Sequence, residues 1–348
     1  MNISSSYFNA LKKCLIIAEI GVNHNGDMML AKKMITKAKN SGADAVKFQT
    51  FTAKSLASQS TPKVDYQKKL TPGNESHYQM LQRLELSKSD HFLLVDFCKK
   101  LDIIFLSTPY DIENAKFLQK EIDVEMFKTA SADLVDLPLH EYIASTQKPV
   151  IISVGMASMG EIEEVLKIYQ SYDNNNIVLL HCVSNYPCRS ESINMEVMNT
   201  LKQAFQFPVG FSDHSVGPEA SILSLAYEAK VIEKHFTIDK SLDGPDHLAS
   251  ATPIELAVLI NSVRKAESMI GSPVKKIQEE ELQMLKISRK SMHFSRDINL
   301  GEILQKKDII LIRPGSGLYI SLLPHILGKK LNKSVQKGSI VNFSDFSR

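Results

Sequence analysis

Short runs of apolar and β-branched residues recur along the first two thirds of the chain. Each is followed by a stretch whose apolar positions repeat at helical spacing. The runs fall at residues 14–21 (CLIIAEIG), 45–51 (AVKFQTF), 103–109 (IIFLSTP), 126–132 (MFKTASA), 150–156 (VIISVGM), 177–183 (IVLLHCV), 209–214 (VGFSDH) and 231–237 (VIEKHFT). Helical patterns cover 29–40, 112–118, 161–169, 195–205, 219–228 and 253–270, with Ser158 and Glu161 set as a capping box before the third. Strands alternating with helices predict parallel βαβ units. Eight such units over about 250 residues predict an α/β fold of the (β/α)8 TIM-barrel class. An open doubly wound sheet is the alternative, and it usually carries a glycine-rich phosphate turn after its first strand, which is absent here. Residues 52–102 hold a polar segment and two further helical patterns, and this long loop is expected to form part of a lid.

The texture changes near residue 271. The chain divides into an expected catalytic barrel over 1–272, a charged linker over 273–286 and a small β-rich domain over 287–348. In the last, NLGEIL, DIILIRPGSG and QKGSIVNF are short strand-like runs broken by glycine turns.

Composition narrows the function classes. The 348 residues are 43% hydrophobic, enough for one large core and a smaller one. Forty-one basic residues against 39 acidic leave a net charge of +2, without the basic surplus of a nucleic-acid binder. No apolar run approaches the roughly 18 residues of a membrane span. Glu19 interrupts the apolar stretch near the start, which therefore reads as a strand rather than a signal peptide. The four cysteines are irregularly spaced, and a cytoplasmic location with reduced thiols is expected. Cys182 and Cys188 beside His181 are a minor candidate for a metal cluster.

Barrel active sites sit at the C-terminal ends of the strands. In this sequence the polar residues fall there: Glu19; Lys47 and Gln49; Ser107 and Thr108; Lys128 and Ser131; Ser153; Ser184, Asn185 and Tyr186; Ser212 and His214; Glu233 and His235. Residues two apart on a strand share a face. His214 and His235 therefore end neighbouring strands about 4.8 Å apart, where two imidazoles can share one metal and leave coordination sites open. Lys47 and Lys128 point inward with no acidic neighbour in the pattern. Their expected partner is an anionic substrate carrying phosphate and carboxylate, with Thr108, Ser131, Ser153 and Ser212 as hydroxyl donors. The competing readings are a salt bridge to Glu19 or Glu233, or a lysine that forms a Schiff base. Glu19 is the expected general base.

Taken together, LIIAEIGVNHNGD, GADAVKFQTF, FLSTP, IISVGM, GFSDH and EKHFTIDKSLDGPDHLAS resemble the sialic acid (N-acetylneuraminate) synthases, with their legionaminic and pseudaminic acid relatives. KKDIILIRPGSG and LGKKL resemble the SAF (antifreeze-like) domain that ends those enzymes. The resemblance implies condensation of phosphoenolpyruvate with N-acetylmannosamine or a similar N-acetylated sugar. It implies a divalent metal on His214 and His235, manganese first and magnesium or cobalt next, and Glu19 as the catalytic carboxylate. Phosphoenolpyruvate would meet Lys47, Thr108, Lys128, Ser131, Ser153, Ser184 and Ser212. The sugar would meet Gln49, Asp133, Tyr186 and Asp246, with Arg313 reaching from a partner subunit in a domain-swapped homodimer. Three departures fall on the sugar side. Lys128-Thr129-Ala130-Ser131-Ala132-Asp133 stands where the family usually reads Lys-Ile-(Pro/Gly)-Ser-Gly-Glu, Tyr186-Pro187-Cys188-Arg189 replaces Tyr-Pro-Thr-Pro, and Ser184 replaces an asparagine or threonine.

Overall fold

A computed structural model describes residues 7–63 and 75–347. Two compact units, Met1–Gly271 and Ser272–Arg348, divide the chain.

The first unit is an eight-stranded parallel barrel. Its strands are β1 (Leu15–Gly21), β2 (Ala45–Thr50), β3 (Ile104–Pro109), β4 (Phe127–Thr129), β5 (Val150–Ser153), β6 (Ile177–Cys182), β7 (Val209–Asp213) and β8 (Val231–His235). They are ordered β3-β2-β1-β8-β7-β6-β5-β4, and β3 lies against β4 where the sheet closes. Helices follow the strands at Met28–Asn40, Ile112–Phe117, Leu137–Ser145, Met159–Ser171, Val197–Phe205, Glu219–Ser224 and Pro253–Ile270. The strand residues are almost all buried, because a parallel barrel covers both faces of its sheet. Outward-facing side chains such as Ile16, Val46 and Phe127 pack on helix residues such as Met34, Ile35 and Leu256. The lower interior is filled by Leu15, Ile17, Ala45, Leu106, Ile151 and Val178.

All eight sequence-predicted strands form, each shorter than its apolar run by one or more residues. The largest change is at residues 126–132, where only Phe127–Thr129 is strand and Ser131–Asp133 turns away as a short 3-10 segment. The pattern gave no helix between the fourth and fifth strands, yet Leu137–Ser145 is one. Asp136 caps it and Pro138 occupies its first turn. The capping box at Ser158 and Glu161 is present, and residues 52–102 contain the helices His77–Leu84 and Lys88–Leu101.

The second unit has its own core of Met292, Phe294, Ile298, Leu304, Leu323, Ile326, Leu331, Val341 and Phe346. It is built round the antiparallel pair β9 (Ser291–Phe294) and β10 (Ile309–Ile312).

Candidate active site

The strand register brings four charged side chains to one level of the barrel. Glu19 on β1 lies beside Lys47 on β2, and β8 pairs with the other side of β1, setting His235 against Glu19. Lys47 Nζ lies 2.9 Å from Glu19 Oε2 and 3.9 Å from Glu233 Oε2, and it donates to Thr108 Oγ1 at 2.8 Å. Lys128 Nζ donates to Ser153 Oγ at 2.6 Å and Thr129 O at 2.9 Å, with Glu233 Oε1 3.7 Å away. Ser212 Oγ donates to Glu233 Oε1 at 2.9 Å. All four charged groups are buried.

This corrects the expectation that the lysines lack acidic partners. The salt-bridge reading holds, with both Glu19 and Glu233. Glu19 reaches Lys47 across the adjacent strands β1 and β2, whereas Glu233 joins them because β8 comes beside β1 when the barrel closes.

The cluster is electrostatically uneven. Burial, helped by the charge of Glu233, raises the Glu19 pKa despite Lys47. Burial opposes ionisation of Glu233 too, but Lys128, Lys47 and the Ser212 hydroxyl overcome it and hold its pKa below the usual range. Burial also works against protonated Lys47, and Glu19 and Glu233 outweigh it, raising its pKa. Lys128 goes the other way: burial, with repulsion from Lys47, lowers its pKa.

Above this cluster the cavity, about 530 Å³, is lined by Ala130, Ser131, Ala132, Ser153, Ser184 and Ser212 among others. Gly155 N donates to Ser131 Oγ at 2.9 Å. A Cβ on Gly155 would stand 2.5 Å from Ser184 Oγ and 2.9 Å from Ser131 Oγ, so only glycine lets these hydroxyls converge. Gly21 is constrained in the same way: its φ is +55°, and a Cβ there would meet Glu19 Oε1 at 3.0 Å.

His214 and His235 face each other across the cavity with ring centroids 5.5 Å apart. Two imidazoles bound to one ion at about 2.1 Å would hold their centroids roughly 5 Å apart. Tyr186 OH lies 3.0 Å from His214 Nε2, and Val183 O lies 2.8 Å from His214 Nδ1. His235 Nδ1 is buried and has no hydrogen-bond partner among the described residues. The two rings thus fit a shared divalent ion. Among the described residues no group of three or more His, Cys, Asp or Glu is arranged for a metal, so further ligands would be water or substrate. The Cys182–Cys188–His181 alternative fails. His181 Nε2 bonds Ile193 O instead, and Cys188 Sγ bonds Arg189 O. Cys182 faces the cavity near Ser131, Ser184 and His214.

Of the sequence-predicted site residues, Glu19, Lys47, Gln49, Lys128, Ser131, Ser153, Ser184, Tyr186, Ser212, His214, His235 and Asp246 line this one cavity. Thr108 sits behind Lys47 as its hydrogen-bond partner. Asp133 lies on the turn after β4, outside the cavity lining. Burial and neighbouring Asp136 raise its pKa to about 7. Asp246 is raised to about 6 by burial. Arg313 belongs to the second unit, where its Nε donates to Ser288 O at 2.8 Å.

Sequence reading missed several lining residues. Glu233 was read as a salt-bridge alternative on the face of His235 rather than as a lining residue. Tyr110, one residue past β3, was passed over. The helix His77–Leu84 supplies His77, Met80, Leu81 and Leu84, and the last three with Val22 and Leu56 form an apolar part of the cavity wall. Its period marked a helix but not which way that helix faces.

Comparison with known proteins gives a consistent picture. The NeuB family matches residues 34–275 and the SAF domain matches residues 289–347. The chain is 43% identical to an N,N'-diacetyllegionaminic acid synthase of Legionella pneumophila, over 94% of this chain and 92% of that one. It is 42% identical to the enzyme of the same name from Campylobacter jejuni, over 95% and 99%. A crystal structure of N-acetylneuraminic acid synthetase from Leptospira borgpetersenii superposes with a TM-score of 0.69 at 35% identity, covering 79% of this chain and 90% of that one.

Proposed function

Because the chain belongs to the NeuB family and carries a SAF domain, we propose that it is a nonulosonic acid synthase. It would join phosphoenolpyruvate to an N-acetylated amino sugar, with water, to give a 2-keto acid and inorganic phosphate. One observation carries this reading: two buried lysines, ringed by hydroxyls, face a pair of imidazoles across a single cavity.

The lysine side suits a phosphate and a carboxylate, with Thr108, Ser131, Ser153, Ser184 and Ser212 as hydroxyl partners. An anion on Lys47 competes with Glu19 for the ammonium and releases the carboxylate as a base. A base with a raised pKa takes a proton more readily near neutrality. The histidines would hold a divalent ion, manganese first and magnesium or cobalt next, which when bound polarises the sugar aldehyde. Carbon 3 of phosphoenolpyruvate attacks that aldehyde. Water, deprotonated by Glu19, adds at carbon 2, and the C–O bond to phosphate breaks. Gln49, Tyr186 and Asp246 line the sugar side.

N-acetylmannosamine is the first acceptor to try. A second reading has its own support. The relatives at 42–43% identity are named as N,N'-diacetyllegionaminic acid synthases. The apolar wall of Val22, Leu56, Met80, Leu81 and Leu84 suits acetamido methyl groups. Among the described residues these five side chains bring no charge to that wall. Mass spectrometry of the 2-keto acid formed from N-acetylmannosamine, a 2,4-diacetamido-trideoxyhexose and a 6-phosphorylated sugar separates the readings. Turnover of the phosphorylated sugar alone would overturn both. A domain-swapped homodimer, with Arg313 of one protomer at its partner's sugar site, completes the proposal. Four buried, unpaired thiols support a reducing compartment, the cytoplasm.

A further inference from the structure

The mechanism leaves a buried charged pair beside the histidines unused. Asp213 and Lys234 occupy the positions that alternate with Ser212, His214, Glu233 and His235, so their side chains leave the opposite face of the sheet. They are Cα partners across β7 and β8. Lys234 Nζ lies 3.1 Å from Asp213 Oδ2, and both side chains are almost wholly buried. Asp213 Oδ1 accepts from Ser215 N at 2.8 Å and Ser215 Oγ at 2.6 Å, and Oδ2 accepts from Ser221 Oγ at 2.6 Å. Lys234 Nζ also donates to Ser215 O at 2.5 Å and Gly217 O at 3.4 Å. Every bond therefore converges on the loop that starts with His214, or on the helix that follows it.

A buried ion pair is a poor source of stability, since desolvating both charges offsets their attraction, and apolar side chains of similar size often serve as well. Most outward-facing positions of this barrel pack apolar side chains, and the other buried polar groups there, such as Thr50, Ser107 and His91, are uncharged hydrogen-bond partners of one another. The cluster's specific effect is geometric. It ties the β7 end to the β8 end at the level of both histidines and fixes the backbone on either side of His214. Cys188 N adds a bond to His214 O at 2.8 Å from the neighbouring loop.

We propose that Asp213 and Lys234 are positioning residues that set the spacing of His214 and His235, and hence the affinity of the pair for a divalent ion. The inference rests on the metal reading above. Partners that orient metal ligands typically change metal affinity 10- to 100-fold when removed.

The test is a direct Mn2+ titration of the chelated full-length chain, read by the electron paramagnetic resonance of free Mn2+. Phosphoenolpyruvate affinity is measured in parallel by calorimetry. Removing both charges together avoids leaving one stranded, so the double variant Asp213→Asn/Lys234→Met is the main probe. It is expected to stay folded, to bind phosphoenolpyruvate within about twofold of wild type, and to lose roughly 10- to 100-fold in Mn2+ affinity. Lys234→Arg, which keeps the charge, is expected to retain most of that affinity. Wild-type Mn2+ affinity in the double variant would overturn the inference. Failure of the double variant to fold would overturn it too, because the pair would then be holding the fold rather than the site. A wild-type chain with no Mn2+ affinity would contradict the metal reading and this inference with it, whereas equal affinities contradict this inference alone.

Discussion

Glu19 is buried, paired with Lys47 and shifted to a raised pKa, which is the state a base needs if substrate binding is to free it. The variant Glu19→Gln is expected to bind phosphoenolpyruvate while kcat falls on the order of 10²- to 10⁴-fold. Near-normal turnover would dismiss Glu19 as the base. The carboxylate must be ionised to accept a proton, so the wild-type rate should fall as pH drops through the raised Glu19 pKa. That acidic limb should lie above the roughly 4.3 of an ordinary glutamate and vanish in the variant. Lys128 carries a second prediction. Its lowered pKa is what a Schiff-base lysine would also show, so chemistry has to separate the two roles. Its hydrogen bond to Ser153 and closeness to Glu233 fit an anion-binding ammonium. Borohydride with pyruvate should therefore leave no covalent adduct, and a stable adduct on Lys128 or Lys47 would establish the aldolase alternative.

At the scale of elements, the helix His77–Leu84 decides what the sugar side looks like. Its buried face, Met80, Leu81 and Leu84, packs with Val22 and Phe51 and lines the cavity. Leu81→Asn should lower kcat/KM for the acceptor sugar by about 10-fold, roughly the worth of 1.4 kcal/mol, with the KM for phosphoenolpyruvate unchanged. A parallel rise in both KM values would mean that the helix supports the whole barrel mouth. The strands were legible in the sequence because each is a compact apolar run, and the polar residues at their ends marked the site. The ion cluster was legible only as an alternative to substrate binding. Glu19 meets Lys47 across the neighbouring strands β1 and β2, but closure of the barrel is what brings Glu233 on the last strand to the same lysine. The helix Leu137–Ser145 escaped because Leu137, Leu139, Ile143 and Ala144 sit among Pro138, His140 and Tyr142, which blurs the helical period. Ser131 was read as strand because Phe127–Thr129 runs on into small residues without a turn signal.

For the whole molecule, the two units have separate cores, and no helix among the described residues is long and apolar enough to cross a membrane. If Arg313 serves the partner's barrel, inactive Glu19→Gln and inactive Arg313→Ala protomers should recover partial activity when mixed and allowed to exchange. Such a mixture contains dimers with one intact composite site, so its activity should exceed that of either parent. No recovery after demonstrated subunit exchange would confine each active site to one chain. The central claim is narrower than assembly: this cavity joins phosphoenolpyruvate to an acetamido sugar with the help of an ion on His214 and His235. Its most direct test is phosphate release from phosphoenolpyruvate by the chelated full-length chain, with and without an N-acetylated mannose-type sugar and with and without added Mn2+. Release only when sugar and metal are both present is the predicted result; release undiminished by thorough chelation, or independent of any sugar, would contradict the account.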